Sequence, residues 1–502
     1  MTRWLASLVV LGSCTASVDA GDKVVAESWD LVQLGDGKAG YVHTIAKEID
    51  SDGKKLIHTT VELRLTLRRN DSLIEMGMDT GTIETPEGTV TGTFMKQYLG
   101  KKQQTRIDGA VSGKQLKLTL NGNTPLNPAP WRADVLGQFK QLNLFKGRDL
   151  KAGDSFTFQT FEPTVNLVIR MEVQVKGMRE VLIPGTKQKQ KLLLVETIPE
   201  KIEHKPGEKL QLPIVQAWLD DARELVKSEV EVPGLGPLVM YRTSKARALA
   251  PAPIASFDLG YHQRIRLKNR ILDAHGTSAA RYRIAIRNDD SAATAFSRDD
   301  RQQVKNVQGN TFELHVKNLP AGVGVGSGDA PAAEFLQSSY FITSADPKVK
   351  ELARKAVGDE ADAWKKARQI ERWVHDHMRY TNYEAMATAD HVARTLEGDC
   401  TEYAMLTAAM CRAEGVPSRT AIGLVYAEEK GVPFFAFHMW TEVWIRGRWI
   451  AIDATIGKGY VGAAHLKITD HSWHDERTMT PILPVVRVVG RVSIDVLSAE
   501  NR

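Results

Sequence analysis

Gly398-Asp399-Cys400-Thr401-Glu402-Tyr403 opens a run that continues through Ala404, Met405, Leu406, Ala408, Ala409, Met410 and Cys411 to Glu414-Gly415-Val416-Pro417, and its reading decides the fold. Asp399 and Glu402 have the spacing of a capping box, in which the first residue of the pair caps the helix and the second reaches back to the cap. Gly415 and Pro417 are stop signals. The spacing therefore predicts a helix from Cys400 to Glu414. It is apolar almost all round, which places it in the middle of a core. Cys400 falls at the first helical position, where unpaired N–H groups and the positive end of the helix dipole favour a thiolate. Cys411 falls deep inside the helix and reads as inert packing. Three turns separate the two sulfurs by about 16 Å, too far for a disulfide.

Outward from the helix, Ala421 to Tyr426, Phe434 to Ile445 and Trp449 to Thr455 read as strands, the last two joined at Arg446-Gly447. If that turn has two central residues, Trp440 stands opposite Asp453, and His438 shares the side-chain parity of Trp440. His438 and Asp453 are then diagonal neighbours on one face of a hairpin, within hydrogen-bonding reach. A cysteine at a helix start, a histidine and an aspartate are the parts of a thiol acyl-transfer site. Cys400 is the expected nucleophile, His438 the base that takes and returns its proton, and Asp453 the group that orients the imidazole. The backbone N–H of Cys400 is an oxyanion donor by position. Tyr380 and Asn382 are the candidates for a second donor.

Four segments, Gly398 to Tyr403, Arg412-Ala413-Glu414-Gly415-Val416-Pro417-Ser418-Arg419, His438-Met439-Trp440-Thr441-Glu442-Val443 and Ile452-Asp453-Ala454-Thr455, resemble in order and spacing the signatures of the transglutaminase-like superfamily. The spacing is 38 residues from Cys400 to His438 and 15 more to Asp453. The resemblance covers residues 346 to 460. It implies a papain-like core and carries Cys400, His438 and Asp453 over as the triad of a thiol enzyme acting on a protein or peptide amide. Water as acceptor gives a peptidase or amidase, and an amine gives cross-linking. No acidic cluster resembles a calcium loop, so no metal and no cofactor is expected. The reading from a different class is a non-catalytic cell-envelope binding or scaffold protein with a vestigial thiol. A redox role lacks its Cys-x-x-Cys pair.

The remaining chain reads as a platform. Asp346-Pro347 is an N-cap followed by proline at the first helical position, with Val349, Leu352, Ala353 and Ala356 on one face. A second helix follows Gly358 and turns Ala363, Ala367, Ile370, Val374 and Met378 inward. His375 and His377 lie two apart on it and point in different directions, so they read as packing or surface side chains, as do His471 and His474. Residues 21–250 show period-two alternation, as at Val61, Leu63, Leu65 and Leu67, at Leu116, Leu118 and Leu120, and from Leu167 to Val175. Asp52-Gly53, Asn121-Gly122 and Pro184-Gly185 are turn signals. Trp131 and Trp218 read as core aromatics. Ala250-Pro251-Ala252-Pro253 is a stiff linker. Residues 254–330 form a second β block, with Tyr282, Ile284 and Ile286 and then Phe312, Leu314 and Val316 alternating. It ends in a glycine-rich loop, Gly322 to Gly328, that lacks the Lys-Ser/Thr of a phosphate cradle.

The expected fold is thus α+β: a transglutaminase-like core over 346–480, with its cysteine helix packed on an antiparallel sheet. Two mainly antiparallel β domains precede it, and a C-terminal strand or tail follows at 481–502. Residues 1–20 read as an export signal, from Arg3, the apolar run Trp4 to Leu11 and the small residues of Val18-Asp19-Ala20. Leu11-Gly12-Ser13-Cys14 also resembles a lipoprotein box, which makes a lipid anchor through Cys14 the alternative to plain cleavage. A bacterial exported protein, periplasmic, cell-envelope or secreted, follows from either. Over 502 residues the net charge is only +5 and no like-charge run exists, which argues against a nucleic-acid surface. No feature of the sequence fixes an oligomeric state.

Overall fold

The computed structural model describes residues 23–501 with the exception of 52, 70–71, 100–102, 123, 185, 187, 206–207, 233–235, 256–263, 320–327, 382–385, 475 and 477–479. The expected export signal over 1–20, Cys14 with it, lies outside the described residues, as does Asn382. Among the described residues no helix is long and apolar enough to cross a membrane.

The alternating segments of the first half pair into one antiparallel sheet of 15 strands. From Lys23–Leu34 to Gln115–Leu120 the strands follow chain order as a meander. The later strands build on the other side: Gly236–Thr243 pairs back onto Lys23–Leu34, and Ser155–Glu162 forms the far edge. Alternation buries Leu116, Leu118 and Leu120 on one face, together with Trp131. The two ends of the sheet approach each other, since the amide of Leu136 donates to Gln159 at 2.9 Å and Phe161 and Val168 pack against the Trp131 cluster. Trp218 is also buried, against Leu31, Ile183 and Tyr241. The Asn121-Gly122 turn takes positive φ at both residues, which a tight hairpin turn requires.

The linker's Ala250 to Pro253 leave their side chains exposed, yet their backbone is docked: Lys38 donates to the Pro253 carbonyl at 3.0 Å, and Ala255 donates back to Lys38 at 2.8 Å. Beyond it, two sheets and four helices among the described residues share one apolar core. The first sheet has Thr277–Ile286 at its centre, flanked by Thr311–Lys317 and by the C-terminal strand Val492–Asn501. Its inward residues Tyr282, Ile284, Phe312 and Leu314 belong to the same buried cluster as Leu352, Ile370, Met405 and Met410 of the helices. This sheet is a layer of the body that carries the cysteine helix, and the last strand of the chain completes it. The second sheet orders Ile265–Arg266, Val432–Ile445, Ser418–Glu429 and His465–His471, with Arg448–Ile452 alongside Val432–Ile445.

The helices follow their sequence signals. Pro347–Val357 begins at Asp346, whose carboxylate accepts from the amides of Lys348 and Val349. Ala363–His377 begins at Asp362, which accepts from Lys365. Both pack on the helix Cys400–Ala413, which lies on Val432–Ile445 and is buried from Glu402 to Arg412. A helix without a polar face is stable only when wrapped in this way.

Candidate active site

The nucleophile candidate is set by local backbone chemistry. Asp399 is extended (φ −102°, ψ −163°), its Oδ1 accepts from the Thr401 amide at 2.9 Å, and Glu402 Oε2 accepts from the Asp399 amide at 3.0 Å. The capping box is therefore closed and fixes Cys400 at the first helical position. Glu402 does more than cap. Its Oε1 accepts from the Ala387 amide at 2.9 Å, tying the preceding segment to the helix start. Burial, and after it the charge of Asp399, push the Glu402 carboxyl up to about 8. Gly398 has φ +152°, and a Cβ there would run into the Glu402 side chain at 2.2 Å, so the residue before the cap must be glycine. Cys400 remains partly exposed, while Cys411 is fully buried, and both thiols are free.

The hairpin delivers the other two groups. Arg446 (φ 49°) and Gly447 (φ 83°) form the two-residue turn, and pairing runs from Ile445 opposite Arg448 to Thr441 opposite Ile452. One further step puts Asp453 opposite Trp440. The His438 Nε2–H donates to Asp453 Oδ2 at 2.7 Å, with both side chains buried. The Cys400 thiol lies near enough to the His438 imidazole to raise its pKa, and since Nε2 is taken by Asp453, Nδ1 is the ring nitrogen left to face the sulfur. Burial works to lower the pKa of His438. The Asp453 carboxylate, and after it the Cys400 thiol, outweigh burial and leave the imidazole well above its usual range. Asp453 is likewise pushed up by burial, but the paired imidazole of His438 and the bond from His465 hold it far below the usual carboxylate range. Its Oδ1 accepts from the Thr455 amide at 2.9 Å. The arrangement can pass a proton from a thiol to an imidazole whose cation is stabilised by a fixed carboxylate.

Tyr380, a candidate second oxyanion donor, is 54% exposed, in a two-residue strand that pairs with Glu397–Gly398. His375 and His377 do not converge. The first donates from Nδ1 to the Ala454 carbonyl at 2.9 Å and so braces the residue after Asp453. The second bonds the Trp373 carbonyl and stacks on that indole. His471 accepts from the Trp473 amide. Sequence reasoning missed His465, whose Nε2–H donates to the same Asp453 Oδ2 at 3.0 Å. Nothing local marks it, because its strand joins the sheet on the far side of Ser418–Glu429 from the hairpin. His438, Asp453 and His465 present one ligand atom each within 4.8 Å of one another, close enough to hold a metal ion. Both imidazole contacts to the carboxylate already have ordinary hydrogen-bond lengths.

Residues 350–454 match the family model of the transglutaminase-like superfamily. That stretch is a transglutaminase-like domain and contains Cys400, His438 and Asp453. The chain is 29% identical over 147 residues to kyphoscoliosis peptidase of Mus musculus, covering 27% of this chain and 22% of that protein. It is 30% identical over 135 residues to kyphoscoliosis peptidase of Homo sapiens, covering 25% of this chain and 20% of that protein. The chain thus spans about a fifth of the length of these curated relatives. Among solved structures, the periplasmic domain of TgpA from Pseudomonas aeruginosa bound to ethylmercury is similar at 15% identity and a TM-score of 0.27, covering 39% of this chain and 89% of that one.

Proposed function

We propose that the protein is a thiol enzyme that forms a Cys400-acyl intermediate on a protein or peptide amide. His438 accepts the thiol proton as sulfur attacks the amide carbonyl. The C–N bond breaks, and His438 returns the proton to the departing amine. Attack by water then releases an acid, and attack by an amine releases a new amide. Asp453 holds the imidazole in the tautomer that leaves Nδ1 facing sulfur and stabilises the cation formed in the transfer. The observation that carries this reading is the 2.7 Å bond between the His438 ring and the buried Asp453, beside a partly exposed thiol at a capped helix start. The curated relatives are named peptidases, which favours water as the acceptor. The export signal read over residues 1–20 supports substrates outside the cytoplasm, in the periplasm, at the cell envelope or beyond it.

The test is a peptide library presented with and without primary amines to the wild type and to Cys400→Ala. Turnover by the wild type that vanishes in Cys400→Ala supports the reading, and the product, acid or amide, assigns the acceptor. Cleavage that persists in Cys400→Ala, or no turnover of any peptide combined with slow alkylation of Cys400, defeats it and leaves a binding or scaffold role.

A further inference from the structure

Asp453 has two imidazole partners, and the reaction proposed above uses only one. We propose that His465 is a positioning residue for the thiol chemistry: its Nε2–H donates to Asp453 Oδ2 and pins the carboxylate in the rotation that serves His438. The proposal rests on the triad reading.

The argument begins with the carboxylate. An ionised Asp453 can only accept, so each imidazole nitrogen that touches it must carry a proton. At 2.7 and 3.0 Å, His438 Nε2 and His465 Nε2 both donate into Oδ2, while the Thr455 amide donates into Oδ1 at 2.9 Å. Three donors from three segments fix the carboxylate plane. With His465 gone, Oδ2 would keep His438 as its one donor and the carboxylate would be held by two bonds instead of three.

His465 itself is held in one state. Its ring is 1% exposed, and its Nδ1 is buried with no hydrogen-bond partner among the described residues. Ring faces and edges of His275, His438 and Trp440 surround it at centroid separations of 5.9, 5.9 and 5.4 Å. A cationic His465 would bury a bare N–H donor at that Nδ1, and burial pushes its pKa down to about 4. It is therefore a neutral Nε2–H tautomer. Its backbone is anchored as well, since the His465 carbonyl accepts from the buried Arg301 guanidinium at 2.8 Å. Packing alone does not account for a histidine here. An apolar side chain would fill the same buried space without orphaning a ring nitrogen, and a buried polar atom without a partner is costly. The polar bond that this ring does make goes to the triad carboxylate.

Two measurements test the role. In the wild type, 15N spectra of the histidine rings should show His465 neutral and protonated at Nε2 between about pH 5.5 and 8, where an ordinary histidine titrates. An Nδ1–H tautomer, or a cation at neutral pH, overturns the proposal whatever the variants do. The second measurement is the rate at which iodoacetamide alkylates Cys400 in His465→Phe and His465→Gln. The first keeps a ring without a donor, and the second restores an N–H near the position of Nε2. His465→Phe should react about tenfold or more slowly than wild type, and His465→Gln within about threefold of it, the scale on which partners of reacting side chains act. An unchanged rate in His465→Phe, or equal losses in both variants, removes the role and leaves the triad intact. A wild type whose Cys400 reacts no faster than Cys411 defeats the triad reading itself. If His465→Phe does not fold, the tautomer measurement decides.

Discussion

Cys400 and Cys411 are the same side chain at opposite ends of one helix, and their surroundings are opposite. Cys400 stands on the first turn, partly exposed, near an imidazole that is backed by a carboxylate. Cys411 is 0% exposed among Ala, Leu and Met side chains, and burial, with a further push from Glu371, drives its thiol far above the usual range. The capping box is one reason for the difference. Asp399 and Glu402 satisfy the orphaned amides around the cysteine and fix where the helix begins, so the thiol faces outward instead of into the core. The hairpin is the other, because a two-residue turn at Arg446-Gly447 sets the register that brings His438 and Asp453 together. The contrast teaches that the surroundings of a cysteine in this helix are set by position and not by residue type.

The sharpest way to break the contrast is Asp453→Asn. The amide keeps the shape of the carboxylate but loses its charge, and its NH₂ faces ring nitrogens that both donate in the wild type. His438 is then free to take the wrong tautomer, with no charge to stabilise its cation. Turnover of any peptide found active should fall on the order of 10³-fold or more, with the fold preserved. Peptide turnover kinetics and a circular dichroism melt check both halves. Activity equal to wild type would remove Asp453 from the role of orienting group.

What the sequence made legible follows the same division between local and distant causes. The helix start was readable because Asp399 and Glu402 act within three residues of each other. The pairing of His438 with Asp453 was readable because a two-residue turn fixes register by counting. His465 was not, since its approach to Asp453 depends on which edge of Ser418–Glu429 its strand joins. Nor was the seating of Val492–Asn501 against Thr277–Ile286, more than two hundred residues upstream, where alternation names the buried face but not the neighbour. In the first half, the pairing of Gly236–Thr243 with Lys23–Leu34 is of the same kind.

A smaller effect measures the contrast directly. In the native wild type, iodoacetamide should modify Cys400 at least about a hundredfold faster than Cys411, because a buried thiol reacts only through openings of the core. Peptide mapping by mass spectrometry after timed quenching gives both rates in one sample. Denaturant should abolish the ratio, since the unfolded chain has no cap, no imidazole partner and no core. A ratio near unity in the native protein would mean that the two ends of the helix are chemically alike.

The smallest effect comes from the silent end. Cys411 is buried in the same apolar cluster as Ala367, Ile370 and Val374 of the helix Ala363–His377, so removing its sulfur leaves a void of about one atom. Cys411→Ala should cost about 1 kcal/mol, the scale of a small cavity at a site that relaxes partly. Cys411→Ser should cost more, about 1–3 kcal/mol, because it places a hydroxyl where the thiol was buried among apolar side chains. Neither should change turnover or the alkylation rate of Cys400, because the two sulfurs are three turns apart on the helix. Urea melts of both variants, read beside the Cys400 alkylation rate, separate stability from chemistry. If Cys411→Ala slowed Cys400, the helix would be transmitting packing changes to its first turn, and the independence of its two ends would fail.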